Sequence, residues 1–175
     1  MEKGRGFSAF GSEGTGRLRV AGEVVAIHIA SAAGVPMQGL ASAEAVAGEG
    51  LVGDRYRDKI GFYSPTPTDP GARELTLIEE ESLAAVLREI GVVLGLEEHR
   101  RNITTRAVAL EPLLGKRFRI GEVVCEGVRK CPPCKHLEEI TGKKVMKPLV
   151  HRGGVRARIV EGGWIRVGDP IQETA

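Results

Sequence analysis

The sequence predicts a mainly β protein, a single β-barrel domain with a few short helices. Short runs of β-branched or alternating residues recur along the chain, and turns rich in glycine, which occurs 24 times, separate them. Only two stretches show helical spacing. A chain of 175 residues suits one core, which must be aliphatic because only 4% of the residues are aromatic. We therefore predict a flexible leader at residues 1–16 and one domain at residues 17–175.

The first part of the chain predicts two strands, two turns and one long loop. Residues 20–29 (VAGEVVAIHI) are rich in β-branched side chains, which favours a strand. After a turn at residues 34–39, residues 43–46 predict a second, short strand. A glycine-spaced turn at residues 48–55 precedes residues 57–73, which contain three prolines and two glycines. That composition predicts a long irregular loop.

The clearest helix follows the next predicted strand, residues 74–78. Apolar residues at positions i, i+3, i+4 and i+7 predict a helix at residues 79–90, with glutamates in its first turn and Gly91 as its stop. The apolar side chains of this stripe are those of Leu83, Val86, Leu87 and Ile90. We expect the helix to cover one face or one mouth of the sheet.

The next part of the chain predicts three more strands. Residues 103–105 form a β run, and an apolar turn follows at residues 110–114. Residues 116–120 alternate charged and apolar side chains, and Gly121 turns the chain into a strand at residues 122–128.

The C-terminal part of the chain predicts a β-hairpin. Residues 155–160 alternate basic and apolar side chains, and residues 161–163 (EGG) are typical of a turn. We therefore predict that residues 164–167 fold back and pair with residues 155–160. Short strands joined by regular turns indicate a barrel-like β domain rather than a βαβ fold.

The segment Arg129–His136 (RKCPPCKH) is the most informative of the chain. It holds Cys131 and Cys134 between the strand at residues 122–128 and a helix-like run at residues 135–140. A cysteine at a helix start lies where free backbone N–H groups and the helix dipole favour negative charge. The neighbouring basic side chains act in the same direction, so a thiolate should form readily at Cys134. Sulfur nucleophiles, persulfide carriers and soft metal ligands all require this property.

Composition excludes several classes of protein. The 25 basic and 23 acidic residues nearly cancel, which favours a mixed solvated surface over a nucleic-acid-binding one. The chain contains no run of about 18 apolar residues, so the sequence predicts no membrane-spanning helix. Residues 1–16 are polar and glycine-rich, unlike a secretory signal. Three cysteines are too few for a disulfide framework, so we expect a reducing, cytoplasmic location.

The order of short motifs along the chain resembles the MOSC domain, a family named for the C-terminal region of molybdenum-cofactor sulfurase. The similarity runs from about residue 22 to residue 171. Six segments carry it: GLVGDR at 50–55, LTLIE at 75–79, RRNIT at 100–104, LLGKRFRIG at 113–121, PCKHL at 133–137 and GGVRARIVEGGWIRVGD at 153–169. Each motif alone is common, but the six together in this order are specific. The resemblance implies a MOSC-type fold built around a strongly bent barrel.

The resemblance also implies a functional cysteine and a pocket for an anionic pterin, the molybdenum cofactor (molybdopterin). The family cysteine maps onto Cys134, which would carry sulfane sulfur as a persulfide or ligate molybdenum. A guanidinium suits bidentate recognition of phosphate, and an amide suits a pterin edge. The predicted cofactor-binding residues are Arg55, Arg101, Asn102, Arg152 and His136, the last of which would modulate ionisation of the thiol.

Cys131 departs from the family pattern, which does not require a Cys-Pro-Pro-Cys pair. As a second catalytic candidate it could resolve a persulfide on Cys134, supply a second metal ligand, or merely lie nearby. Cys125 lies in a strand pattern and is predicted to be core. We do not expect structural zinc, which needs about four ligands. His136 and His151 are the available histidines near the cysteines, and a second cysteine pair is missing.

Three functions remain open. The first is handling of the molybdenum cofactor, in which Cys134 carries sulfur or ligates the metal of a catalytic molybdenum site. The second is a cofactor-free thiol–disulfide module that uses Cys131 and Cys134, and the third is a non-catalytic binding domain. The sequence shows no aminotransferase-like desulfurase domain. We therefore expect a separate PLP-dependent cysteine desulfurase as sulfur donor, and a molybdoenzyme or cofactor-biosynthesis protein as acceptor.

Overall fold

The computed structural model describes residues 22–174. The predicted leader at residues 1–16 and the first two residues of the predicted strand at residues 20–29 lie outside the described residues. The described strands are β1 (Gly22–Ile29), β2 (Gln38–Leu40), β3 (Ser42–Val46), β4 (Gly50–Leu51), β5 (Leu75–Glu79), β6 (Ile103–Arg106), β7 (Arg117–Ile120), β8 (Val123–Lys130), β9 (Val155–Glu161), β10 (Gly163–Arg166) and β11 (Pro170–Glu173). The helices are α1 (Glu80–Ile90), α2 (Lys135–Thr141) and α3 (Met146–Leu149). No helix within residues 22–174 is long and apolar enough to cross a membrane.

Seven strands close into a barrel, in the order β1-β6-β5-β9-β8-β7-β11 and back to β1. All pairs are antiparallel except β5 and β6, which run parallel and are joined through α1. β2 pairs with the end of β1, while β11 pairs with its start. The protein is therefore mainly β, with a closed barrel and short helices, and the predicted fold class is confirmed.

Two hydrophobic clusters hold this arrangement together. Aliphatic side chains fill the barrel, and Phe118 is completely buried among them. A smaller cluster, which includes Leu83, Val86 and Leu149, joins the three helices, and Leu137 anchors α2 in it. Because α2 is fixed in this way, the chain that precedes it has a defined position at the barrel.

Helix α1 ends as the sequence predicts, at Gly91. That glycine adopts φ 67° and donates its N–H to the carbonyl of Leu87, a left-handed cap that glycine adopts without strain. The predicted apolar stripe is buried only in its first half. Leu87 and Ile90 are 48% and 43% exposed, because the helix cluster covers only the first two turns.

The predicted hairpin between residues 155–160 and 164–167 is wrong. β9 pairs with β5 on one edge and with β8 on the other, so neither edge is free for β10. The chain instead leaves the barrel at Gly162 and β10 pairs with β3 in a separate sheet of three strands. A Cβ atom at Gly162 would lie 2.6 Å from the carbonyl oxygen of Ala45, which explains the glycine at this crossing.

Candidate functional site

A cavity of about 330 Å³ lies beside the start of α2, between the Cys-Pro-Pro-Cys segment and the loop that joins β4 to β5. We call it the cysteine cavity, because Cys131 and Cys134 both line it. Six arginines of the described chain also line it: Arg55, Arg73, Arg100, Arg101, Arg129 and Arg156. The site thus combines thiols with a high density of positive charge.

Cys134 caps the start of α2 with an extended backbone, φ −135° and ψ 160°. Its side chain is partly buried, whereas Cys131 is 2% exposed. The backbone of Cys131 is fixed, since its N–H donates to the carbonyl of Gly154 at 2.8 Å. Cys125 lies in the barrel core, where burial raises the pKa of its thiol. Of the three, Cys134 is therefore the most accessible.

Arg101 reaches the cavity as a support for the cysteine segment. Its guanidinium is buried and donates to the carbonyls of Gly153 at 3.0 Å and Cys131 at 3.2 Å. Its backbone N–H donates to Nδ1 of His99 at 3.0 Å. A guanidinium has five N–H donors, so several carbonyls are held at once. Arg101 therefore ties the residues around Cys131 to the start of β6.

Arg55 enters the cavity from the glycine turn, over a buried ion pair. Its Nη1 lies 3.1 Å from Oδ1 of Asp54, and both side chains are at most 5% exposed. Asp54 also accepts N–H groups from Ala30 and Tyr56, so its carboxylate is well satisfied. The hydrogen bonds of Asp54 thus fix the turn, and the ion pair holds the Arg55 side chain in the cavity wall.

Asn102 and Arg152 lie outside the lining of the cysteine cavity. Asn102 is 2% exposed, and its amide joins Thr76 to the carbonyl of His28 and to Asp54. Arg152 instead forms a surface ion pair with Glu89 and faces a neighbouring groove. Of the five residues predicted to bind the cofactor, Arg55, Arg101 and His136 therefore line the cavity.

An aromatic cluster, formed by Phe62, Tyr63 and His136, covers one side of Cys134. The rings of Phe62 and His136 stack with centroids 3.6 Å apart, and Tyr63 meets both edge-on. Burial, followed by a hydrogen bond to Cys134 and the charge of its sulfur, raises the pKa of Tyr63 to about 12. The Tyr63 hydroxyl is therefore a neutral donor beside the sulfur over the physiological range of pH.

His136 lies in the cavity wall, two residues after Cys134 in the first turn of α2. Burial lowers its pKa, Glu139 opposes that shift, and the positive charges of Arg100 and Arg55 add to it. The imidazole is therefore held towards its neutral form, in which one ring nitrogen is free to accept a hydrogen bond or a proton.

Several lining residues were not predicted from the sequence. Phe62 and Tyr63 are adjacent aromatic residues in an irregular loop of a chain poor in aromatic residues, which was an available signal. Arg73, Arg129 and Arg156 come from three separate elements and carry no shared motif. Within residues 22–174, no three His, Cys, Asp or Glu side chains are placed to hold a metal ion together.

Comparison with known proteins assigns the chain to a family. The family model described as "MOSC domain" matches residues 45–172. The chain belongs to the MOSC domain family. No curated protein matches this MOSC protein by sequence.

Solved structures share the MOSC fold of this chain. The YuaD protein from Bacillus subtilis is similar with a TM-score of 0.72 and 16% identity, over 86% of this chain and 93% of that chain. YiiM from Geobacillus stearothermophilus is similar with a TM-score of 0.66 and 13% identity, over 88% and 75% of the two chains. YiiM from Escherichia coli has a TM-score of 0.62 and 14% identity, over 87% and 70%. At these identities the likeness concerns the fold.

Proposed function

We propose that this MOSC protein handles the molybdenum cofactor, binding it in the cysteine cavity and carrying sulfane sulfur on Cys134 or ligating molybdenum through it. The observation that carries the proposal is the opening of the partly buried Cys134 into a cavity lined by six arginines. The negative charge of the pterin cofactor requires a cationic pocket. Its molybdenum, or the sulfur that it receives, requires a soft donor such as a thiolate.

The residues present fit an anionic cofactor. Asp54 and Asp69 are the carboxylates of the described chain that pair with the cavity arginines, so positive charge remains in excess. Arg100 illustrates this excess, because burial and the nearby charge of Arg55 lower the pKa of its guanidinium. A phosphate would relieve that repulsion and accept charge-assisted hydrogen bonds from guanidinium groups that line the cavity.

The chemistry of the bound cofactor would be that of a molybdenum centre with a soft thiolate ligand. Arg55 and Arg100 would hold its negative charge, and Arg101 would keep the cysteine segment in position. His136, held towards its neutral form, would take the proton that leaves the Cys134 thiol. The Tyr63 hydroxyl would donate a hydrogen bond to the resulting thiolate.

Sulfur carriage follows from the same thiolate. Sγ of Cys134 would attack the outer sulfur of a donor persulfide, so that a new S–S bond forms on Cys134 as the donor S–S bond breaks. The donor leaves as a thiolate, and the outer sulfur keeps its proton. The donor we propose is a PLP-dependent cysteine desulfurase, and the acceptor is a molybdoenzyme or a cofactor-biosynthesis protein, in the cytoplasm.

The test is elemental analysis of protein purified from a host supplied with molybdate. We expect molybdenum and a fluorescent oxidised pterin, or cyanide-releasable sulfur, in the unmodified protein, and loss of the metal or sulfur in Cys134→Ser. Cys125→Ala is the matched control, because Cys125 lies in the core away from the cavity. Protein that contains none of these components, whichever cysteine is present, would contradict the proposal.

The cofactor-free thiol–disulfide function is favoured by one observation, the shared cavity of Cys131 and Cys134. Alkylation with iodoacetamide separates the two functions. Cofactor handling predicts fast alkylation near neutral pH that Cys134→Ser abolishes and Cys131→Ser leaves intact. A disulfide module instead predicts slow alkylation until a reductant is added, in protein that contains neither molybdenum nor pterin.

A further inference from the structure

The six arginines of the cysteine cavity fall into two groups. The first group, Arg55, Arg100 and Arg101, comes from the glycine turn and from the segment before β6, and it surrounds Asp54 and the cysteine segment. The second group consists of Arg73, Arg129 and Arg156, from the loop before β5 and from strands β8 and β9. The two groups reach the cavity from different elements of the barrel.

The second group contains a like-charge pair that the strands themselves create. Arg129 of β8 lies directly opposite Arg156 of β9 in the antiparallel register. An irregularity at Val128 produces this pairing, because without it Val128 would face Arg156 and Arg129 would face Val155. Like charges directly opposite one another destabilise a sheet, and bulges commonly re-aim side chains at functional sites.

Few groups of the protein neutralise this pair. Arg129 has one carboxylate nearby, Asp69, whose oxygen is 3.6 Å away and whose side chain is 61% exposed. Arg156 donates from Nη1 to the carbonyl of Ala72, while its buried Nε has no hydrogen-bond partner in the described part of the chain. A buried guanidinium N–H without an acceptor costs free energy that a ligand oxygen would recover.

Arg73 completes the group from the loop side. It donates to the carbonyls of Ser64 and Thr66, which holds the loop against the cavity. Burial and the charges of Arg156 and Arg129 lower the pKa of Arg73, which indicates that the three guanidinium groups repel one another electrostatically. Three guanidinium groups with one exposed carboxylate form a site for an anion.

We propose that Arg73, Arg129 and Arg156 form a second oxyanion subsite in the cysteine cavity, which binds a phosphate or a comparable group on the small molecule that reacts at Cys134. This proposal rests on the proposed function for the identity of the reaction, since Arg55 and Arg100 of the first group would hold the cofactor. The substrate or sulfur acceptor would then be an anionic small molecule, oriented by its oxyanion with its reactive part towards the sulfur.

The test is calorimetric titration of the full chain with inorganic phosphate. We expect Arg129→Gln and Arg156→Gln each to weaken one phosphate-binding event about tenfold, the loss expected for one charge-assisted hydrogen bond. Arg158→Gln is the matched control. Arg158 is on β9 with Arg156, but it pairs with Glu126 at the surface and lies outside the cavity lining. The Arg158→Gln variant should therefore bind phosphate like the unmodified protein. Arg129 is exposed, so its variant keeps the test valid if Arg156→Gln folds poorly.

Unchanged phosphate binding in both Arg129→Gln and Arg156→Gln would overturn the subsite. The same phosphate titration on protein that retains the cofactor then shows whether the oxyanion comes from a separate ligand or from the cofactor. Phosphate that still binds in an Arg129-dependent way belongs to a separate ligand. Exclusion of phosphate, together with poorer cofactor retention in Arg129→Gln, means that the cofactor itself occupies these arginines, which would overturn the assignment of the subsite to a separate reacting molecule. Because the titration needs no cofactor, it decides the subsite even if the proposed function fails.

Discussion

The ring of Phe62 lies parallel to the imidazole of His136, with centroids 3.6 Å apart and planes inclined by 10°. The contact joins the long loop after β4 to the first turn of α2, the element that positions Cys134. Phe62 is nevertheless 50% exposed. An exposed ring stacked over the imidazole near the Cys134 thiol can shield that imidazole without contributing much to the core.

Replacement of Phe62 by alanine should uncover His136. Burial is the main cause that lowers the pKa of His136, so the variant should raise it towards the ordinary value of 6.5. NMR titration of the imidazole measures this shift. Ile60→Ala is the control, since Ile60 is 53% exposed in the same loop and outside the cavity lining. An unchanged pKa of His136 in the Phe62 variant would show that the stacking does not bury it.

Replacement of Asp54 by alanine should destabilise the fold strongly. The change leaves the buried guanidinium of Arg55 without its carboxylate, which typically costs about 3–5 kcal/mol in free energy of unfolding. Urea denaturation measures the loss. In the control, Glu49→Ala breaks the exposed pair with Arg57, and the expected loss is below about 1 kcal/mol. Equal losses in the two variants would argue against a structural role of the buried pair.

Replacement of Gly154 by alanine should cost more than the same change at Gly168. Both glycines have positive φ, 94° and 88°, so both variants carry a backbone penalty of about 1–3 kcal/mol. At Gly154 the new Cβ would also lie 1.9 Å from the carbonyl oxygen of Leu77, whereas nothing lies within 4 Å at Gly168. Urea denaturation compares the two, and a loss at Gly154 no larger than at Gly168 would contradict the close approach.

Acidification should destabilise the protein through His99. This side chain is 1% exposed, its Nδ1 accepts the N–H of Arg101, and its Nε2 therefore donates to Thr104, so the ring is neutral. Burial, followed by the charge of Arg101, lowers its pKa well below 6.5. The unfolded chain then binds a proton that the folded protein does not, so the free energy of unfolding falls as pH drops below about 6.5.

The slope expected from His99 is about 1.4 kcal/mol per pH unit at most. Urea denaturation at several pH values measures it, and His99→Gln should flatten it. Burial also lowers the pKa of His28, which should leave a smaller residual slope. His151→Asn, in an exposed loop, is the control and should keep the full slope. A slope that persists undiminished in His99→Gln would assign the effect to other groups.

The predicted strand pattern was largely correct because it depends on local signals. Alternation placed β7, β8 and β9 within two residues of their observed bounds, and Gly91 marked the end of α1. β11 was missed, since it is short and begins with a proline. Proline is tolerated there as the first residue of the strand, and only pairing with β1 and β7 makes this segment part of the barrel.

The sequence by itself determined the family, the β-rich class and the cysteine segment, because each depends on residue order or local periodicity. Only the tertiary structure decided which side chains meet. Closure of the barrel occupied both edges of β9, which sent β10 to another sheet, and it placed Arg129 opposite Arg156. It also buried Asn102 and turned Arg152 towards Glu89. Such contacts join residues distant in the chain, and strand register and packing set them rather than the local sequence.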